Sequence, residues 1–262
     1  MKLAVHGAAG RMGQRVVALA ARDPRFQVVA AIESANSPAL GKDAGTIAGI
    51  GEIGVPLGVV GESKADVVID FSVPDAAVAV VAHCVEAARP VVVATTGLEP
   101  QQQEYLRKAA KKIPIVWSPS MSTAVNVVMK LTEIASRALN GLPSGVDVEI
   151  IERHHRFKED SPSGTALKFG QIVADVMDIT QHTHGRSGRP GLRPRTEIGY
   201  HAVRTGDNPG DHTIIFGMLG ETIELKVSAT NRDCYAQGAL LAAEWVVGKP
   251  PGLYGMKEVL GL

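Results

Sequence analysis

Along the first half of the chain, short apolar runs recur between stretches whose apolar positions follow a helical spacing. Five of the runs read as strands: Lys2 to His6, Gln27 to Ile32, Asp66 to Phe71, Pro90 to Ala94 and Ile113 to Trp117. Helices are predicted to begin near Arg11, Asp75 and Pro100 and to fill the intervals. Strings such as VVID and VVVA are apolar on both faces, which suits parallel strands covered by helices on each side. The stretch from Asn36 to Gly61 is Gly-rich and irregular and reads as a surface excursion.

After a longer helix, roughly Ala124 to Leu139, the period changes to two. Val146 to Ile151, Thr196 to Val203, His212 to Met218 and Thr222 to Thr230 alternate apolar and polar positions, which predicts an antiparallel or mixed sheet with one wet face. An Ala/Leu-rich helix, about Tyr235 to Val247, and the tail to Leu262 return to the α/β rhythm. The expected class is therefore α/β, with a parallel-sheet domain over residues 1–125, completed by 233–262, and an α+β domain with a mixed sheet over 126–232.

Composition narrows the function. With 45% apolar and 21% charged residues the chain has material for a real core and too little charge for disorder. Its 27 basic and 27 acidic residues balance, so no whole-chain field exists to grip nucleic acid or an anionic membrane. The longest apolar run, Ala76 to Ala82, falls far short of the ~20 residues of a membrane span. The first residues enter a strand-like run without a basic leader, so a soluble, cytoplasmic protein is expected. Cys84 and Cys234 stand far apart and outside any CxxC pattern, which encodes neither a disulfide framework nor a cysteine zinc site.

The string GAAGRMG, Gly7 to Gly13, follows the first strand and opens the first helix. Glycines there let the backbone turn tightly and approach a pyrophosphate, whose charge meets the free N–H groups of the helix start. The spacing is GxxGxxG, with Ala9 where a stricter GxGxxG would place its second glycine. Glu33, 20 residues beyond Gly13, closes the second strand, where a carboxylate can accept both hydroxyls of an adenosine ribose. Together these features predict a Rossmann-type dinucleotide site. Ser34 follows instead of Arg, which removes the usual clamp for a 2'-phosphate and leaves Arg11 or Lys42 to supply one. ATTG, Ala94 to Gly97, ends another strand and reads either as a cofactor contact or as a capped turn.

The densest chemistry lies in ERHHRFKEDSPSGTA, Glu152 to Ala166. Pro162 and Ser163 mark a helix start, so the N–H groups of Gly164 and Thr165 fall in its first, unsatisfied turn and can bind a carboxylate. His154, His155, Arg156 and Lys158 precede it, donors or cations that can hold a small dianion and, in the His and Lys, move protons. From Arg153 to Arg204 nine bases face five acids, a local excess of +4 that matches an acidic substrate. The bland alternative is a solvated basic loop before a capped helix. Gly185 to Arg195, GRSGRPGLRPR, reads as an exposed flexible loop. No metal is expected: six of the eight histidines, His154, His155, His182, His184, His201 and His212, fall in this half, but without ligand spacing. Neither a GxxxxGK[ST] phosphate loop nor a GxSxG elbow occurs.

GAAGRMG, DFSVPDA at Asp70 to Ala76, ATTG, and above all EIIERHHRFKEDSPSGTA at Glu149 to Ala166 resemble the 4-hydroxy-tetrahydrodipicolinate reductase (dihydrodipicolinate reductase) family, in order and across the whole chain. The resemblance implies an NAD(P)H-dependent oxidoreductase of the diaminopimelate route to lysine, with a nucleotide domain joined by hinges to a substrate-binding domain that also builds a homotetramer. It places catalysis on His154 and Lys158 and substrate binding on His155, Gly164 and Thr165. Cofactor binding falls on Gly7, Ala8, Ala9, Gly10, Arg11, Met12, Glu33, Ala94, Thr95, Thr96, Ser118, Pro119, Ser120 and Met121. NADH is expected to serve at least as well as NADPH, and the substrate is a small dicarboxylate; neither a nucleic-acid nor a membrane partner is implied. Ser120 and Ala124 stand where the family typically has Asn and Gly. The competing readings are a non-catalytic NAD(H)-sensing two-domain protein and another dehydrogenase with the same first domain.

Overall fold

The computed structural model describes residues 1–61 and 63–262. The chain divides into two compact units, Met1–Thr123 with Arg232–Leu262, and Ala124–Asn231. The first unit opens with β1 (Lys2–His6), α1 (Arg11–Ala20), β2 (Gln27–Ile32), α2 (Ala44–Ile47), β3 (Leu57–Gly58), β4 (Val67–Asp70), α3 (Pro74–Glu86), β5 (Val91–Val93), α4 (Pro100–Ala109) and β6 (Pro114–Trp117). Helix α5 (Thr123–Leu139) leads to the second unit, which holds β7 (Asp147–His154), α6 (Gly164–Met177), β8 (Gln181–His184), β9 (Glu197–Arg204), β10 (Gly210–Met218) and β11 (Glu221–Ala229). The chain then closes the first unit with α7 (Asp233–Val246), β12 (Gly252–Tyr254) and α8 (Met256–Leu260).

The first sheet is parallel throughout, in the order β12-β6-β5-β4-β1-β2-β3. Its central strands are apolar on both faces because helices cover both: Leu3, Val5, Val67 and Ile69 pack with α1 and α7, while Ala4, Val68, Val91 and Val93 pack with α3 and α4. The strand order reverses direction at β1, which lies between β2 and β4, and such a reversal opens a crevice at the carboxyl ends of the strands.

Residues Asn36 to Gly61 are not an irregular excursion. One side chain organises them: the Asp43 carboxylate accepts from the amides of Gly45, Thr46, Ile53 and Val55, capping α2 and delivering β3 to the sheet edge. A single acceptor side chain leaves no periodic signal, which is why the sequence pattern missed both elements.

The second sheet is mixed, β11-β10-β7-β9-β8, with β10 antiparallel to β11 and β7, and β9 parallel to β7 and β8. Strand β7 runs past the predicted end at Ile151 to His154. Its inward face carries Val148, Ile150, Glu152 and His154 in strict alternation, so an apolar face that packs against Phe169 and Val173 of α6 turns polar at one end. Strand β8, QHTH, has no apolar alternation and was not predicted.

Candidate active site

In the first unit, Gly7 leaves β1 with φ of +74°. A Cβ there would stand 2.4 Å from the Phe71 carbonyl oxygen, and one at Gly13 would stand 2.0 Å from the carbonyl oxygen of Gly7. Only glycine permits this close passage of turn, helix and strand. The amides of Gly7 and Ala8 donate to the Ile32 carbonyl, joining the turn to the end of β2. There Glu33 accepts from the Ala9 amide at 2.8 Å and from the Ser34 amide at 3.1 Å. No side chain caps α1, so its first amides are left to the turn. This is a cradle suited to a dinucleotide, with the predicted Gly7, Ala8, Ala9, Gly10, Arg11, Met12 and Glu33 together in it. Arg11 and Lys42 are exposed, and neither forms an ion pair among the described residues.

The neighbouring strand ends are tied to the turn by the fully buried carboxylate of Asp70. It pairs with His6 Nδ1 at 2.7 Å and accepts the hydroxyls of Ser72 at 2.5 Å and Thr95 at 2.6 Å. Thr95 Oγ1 in turn accepts the Ser72 amide at 3.0 Å, so this hydroxyl holds the turn and leaves the backbone and the exposed Thr96 to face a ligand. One strand further on, the Ser118 amide donates to the Val93 carbonyl and the Ser118 hydroxyl to the Ser120 carbonyl, while Met121 is buried and Pro119 exposed. The cofactor positions implied by the family resemblance thus line adjacent strand ends on one edge of the sheet. His6, Asp70 and Ser72 were not predicted; their roles depend on strands 64 residues apart coming side by side.

In the second unit, Glu152 is 1% exposed and organises the polar end of β7. His154 Nδ1 bonds its Oε2 at 2.5 Å, Arg204 reaches both oxygens at 2.8 and 2.7 Å, and the Ser163 amide donates to Oε1 at 3.0 Å. Register explains the meeting: Arg204 lies beside His154 in the β7–β9 ladder, and His212 stands opposite Glu152 in the β7–β10 ladder. Burial alone would raise the Glu152 carboxyl, but the bonds from Arg204 and His154 hold it below the usual carboxylate range. For His154 burial wins, and its imidazole lies below the ordinary value despite Glu152. Burial pushes His212 further, to about 4, and its Nε2 lies 3.0 Å from the Ser163 hydroxyl.

Ser163 caps α6 by accepting the Ala166 amide, and the amides of Gly164 and Thr165 head the helix with no acceptor among the described residues. A Cβ on Gly164 would meet nothing within 4 Å, so this helix start is open. The loop between β9 and β10 holds the backbone beside it, with the His155 and Arg156 amides donating to Asn208 and Gly206 carbonyls. His155 Nδ1 is buried without a partner among the described residues, and Lys158 Nζ donates to Asp160 at 2.7 Å. Sequence reasoning missed Asp160, Arg204, Asn208 and His212 and treated Glu152 only as the start of a segment. The i, i+2 spacing of Glu152 and His154 on a strand was the available signal.

The excess of +4 is cancelled by acids on the flanking strands and loop. Arg153 pairs with Asp211, Lys158 with Asp160, Arg204 with Glu152, and Arg186 and Arg193 with Glu149, Glu197 and Asp147. Widening the window to residues 147–211 adds five acids and no base, and the net charge becomes −1. What this segment offers an anion is open amides and individual donors, not a net field. Gly185 to Arg195 is an exposed loop as expected, but not an untethered one, since Arg186 and Arg193 anchor it to β7 and β9 and hold the Glu149 carboxyl at about 2 although burial opposes them. His182 and His184 stack on Tyr200, and His201 bonds Glu149.

Residues 1–121 match the family described as dihydrodipicolinate reductase, N-terminus, and residues 124–260 match its C-terminus. A 4-hydroxy-tetrahydrodipicolinate reductase of Rhodopirellula baltica is 56% identical over 270 aligned positions, covering 100% of this chain and 96% of the relative. One of Alkalilimnicola ehrlichii is 45% identical and covers 100% and 99%. Among solved structures, a dipicolinate-bound dihydrodipicolinate reductase from Paenisporosarcina sp. TG-14 superposes with a TM-score of 0.78 at 24% identity, covering 98% of each chain.

Proposed function

Because the chain belongs to the dihydrodipicolinate reductase family, it is an NAD(P)H-dependent oxidoreductase acting on 4-hydroxy-tetrahydrodipicolinate in lysine biosynthesis, and we propose that His154 and Lys158 carry the reaction. The observation behind the proposal is the set of groups at the polar end of β7: a carboxylate-held imidazole, a lysine, and the open amides of Gly164 and Thr165.

The substrate's ring carries two carboxylates, which the amides of Gly164 and Thr165 and the half-buried His155 side chain are suited to bind. Loss of water from the hydroxylated ring leaves a conjugated cyclic imine, dihydrodipicolinate. A reduced nicotinamide, held by the residues of the glycine turn and the neighbouring strand ends, would supply the hydride that ring carbon C4 takes up. Lys158, as a cation near the ring nitrogen, stabilises the negative charge that arrives there. His154 gives the proton that completes the tautomerisation to 2,3,4,5-tetrahydrodipicolinate. Gly7 to Met12, Glu33, Ala94 to Thr96 and Ser118 to Met121 hold the cofactor, with NADH used at least as well as NADPH because Glu33 stands where a 2'-phosphate would be repelled.

In this reading the enzyme is a cytoplasmic homotetramer. Among the described residues no helix is long and apolar enough to cross a membrane. Ile151 and Val203 are exposed on the sheet face turned away from α6, where further subunits would cover them. The test is loss of NADH absorbance when the purified protein meets the freshly made condensation product of aspartate semialdehyde and pyruvate. Steady absorbance with both NADH and NADPH would overturn the assignment.

A further inference from the structure

We propose that Glu152, clamped by Arg204, is the positioning residue that fixes the His154 tautomer and turns Nε2 into the reacting nitrogen; the proposal rests on the reading of His154 as proton donor. Glu152 is buried, and its oxygens receive two guanidinium bonds, one backbone amide and His154 Nδ1. A carboxylate with this many donors stays ionised and has no proton to give, so the hydrogen between it and His154 resides on Nδ1. A neutral imidazole with Nδ1 protonated bears its lone pair on Nε2, and the imidazolium then gives up the Nε2 proton. An acid bonded to the distal ring nitrogen is a general way to hold both the tautomer and the ring plane of a catalytic histidine.

The other side of the ring supports the same direction. Among the described residues Nε2 has no hydrogen-bond partner, and it faces Gly210, the first residue of β10. A Cβ at Gly210 would stand 2.8 Å from Nε2. The position has φ of +153° and lacks a side chain where one would press on the nitrogen that must stay accessible. Arg204 has a second task, since its Nη2 also donates to the Asp160 carbonyl, and the Asp160 side chain binds Lys158. One guanidinium therefore connects the supports of both proposed catalytic groups, although it lies 52 residues beyond Glu152.

The test combines ¹⁵N NMR of the histidine rings of the wild-type protein at pH 8 with kinetics of Glu152→Gln and Gly210→Ala. In the wild type, His154 Nδ1 should show the protonated, pyrrole-type shift and Nε2 the lone-pair type. A lone-pair shift at Nδ1 would overturn the proposal whether or not any variant folds. Glu152→Gln should mix the two tautomers and lower kcat by about tenfold or more while KM for the dicarboxylate changes by less than about threefold. Gly210→Ala should lower kcat with the Nδ1 shift unchanged, because its Cβ presses on the Nε2 side of the ring, away from the Glu152 bond. Unchanged kcat and unchanged ring shifts in folded Glu152→Gln would reduce the carboxylate to a packing role and overturn the proposal. Near-normal turnover by His154→Ala would instead defeat the underlying reading, while the wild-type ring shifts would still report the tautomer.

Discussion

The Glu33 carboxylate accepts the Ala9 amide at 2.8 Å, so the acid that ends β2 is fastened to the glycine turn that follows β1. Two sequence signals 24 residues apart thus form one surface, proposed to take the adenosine side of the cofactor.

That placement underlies the proposed cofactor preference. A free ribose 2'-hydroxyl can donate to Glu33, whereas a 2'-phosphate in its place meets a negative charge without a neighbouring base at Ser34. NADH should therefore serve at least as well as NADPH in kcat/KM at fixed ionic strength, and Ser34→Arg should move the preference toward NADPH. A preference of about tenfold or more for NADPH in the natural sequence, about 1.4 kcal/mol, would point to Arg11 or Lys42 as a phosphate clamp.

Recognition of the substrate should depend on its carboxylates. Pyridine-2,6-dicarboxylate is expected to inhibit competitively against the substrate, and uncharged pyridine at the same concentration to leave the rate unchanged. Equal inhibition by both would contradict the role given to the amides of Gly164 and Thr165, since those groups bind anions and offer nothing specific to a neutral ring.

Stability should fall on mild acidification before the carboxylates titrate. His212 has a folded-state value of about 4 against an ordinary 6.5, because burial disfavours its charged form. Between those values the unfolded chain takes up a proton that the folded chain refuses, so the full stability above pH 6.5 is lost as pH falls, by roughly 3 kcal/mol near pH 4. Glu149, at about 2 against an ordinary 4.5, adds its own loss as pH falls below about 4.5. Urea unfolding at pH 7 and pH 4.5 measures the decline. His212→Asn should flatten it, and a wild type equally stable at both values would contradict the assignment.

The elements that carry the nucleotide turn were legible in the sequence because their signals are local. The bounds of β1 and β2 and the start of α1 follow from apolar runs meeting glycines, and Gly13 is required by a contact only six residues back. The second site was legible only in its contiguous part. His154, Lys158 and the α6 start lie in one string, whereas Arg204 and His212 reach Glu152 through ladders whose register no single segment encodes. The basic stretch from Gly185 to Arg195 was misread for the same reason, since its acids stand on β7 and β9. Asp43 and the strand QHTH escaped because a lone acceptor and a polar edge strand have no hydrophobic period.

The central claim is that His154 and Lys158 perform the reduction while the nucleotide turn binds the cofactor independently of them. It is tested most directly by measuring NADH affinity and turnover side by side for His154→Ala and Lys158→Ala. Each variant should lose about two orders of magnitude in turnover, the scale for removing a positioned proton donor or charge stabiliser, with NADH affinity nearly intact. Near-normal turnover in both variants would contradict the account and leave the two residues as ordinary members of a polar loop.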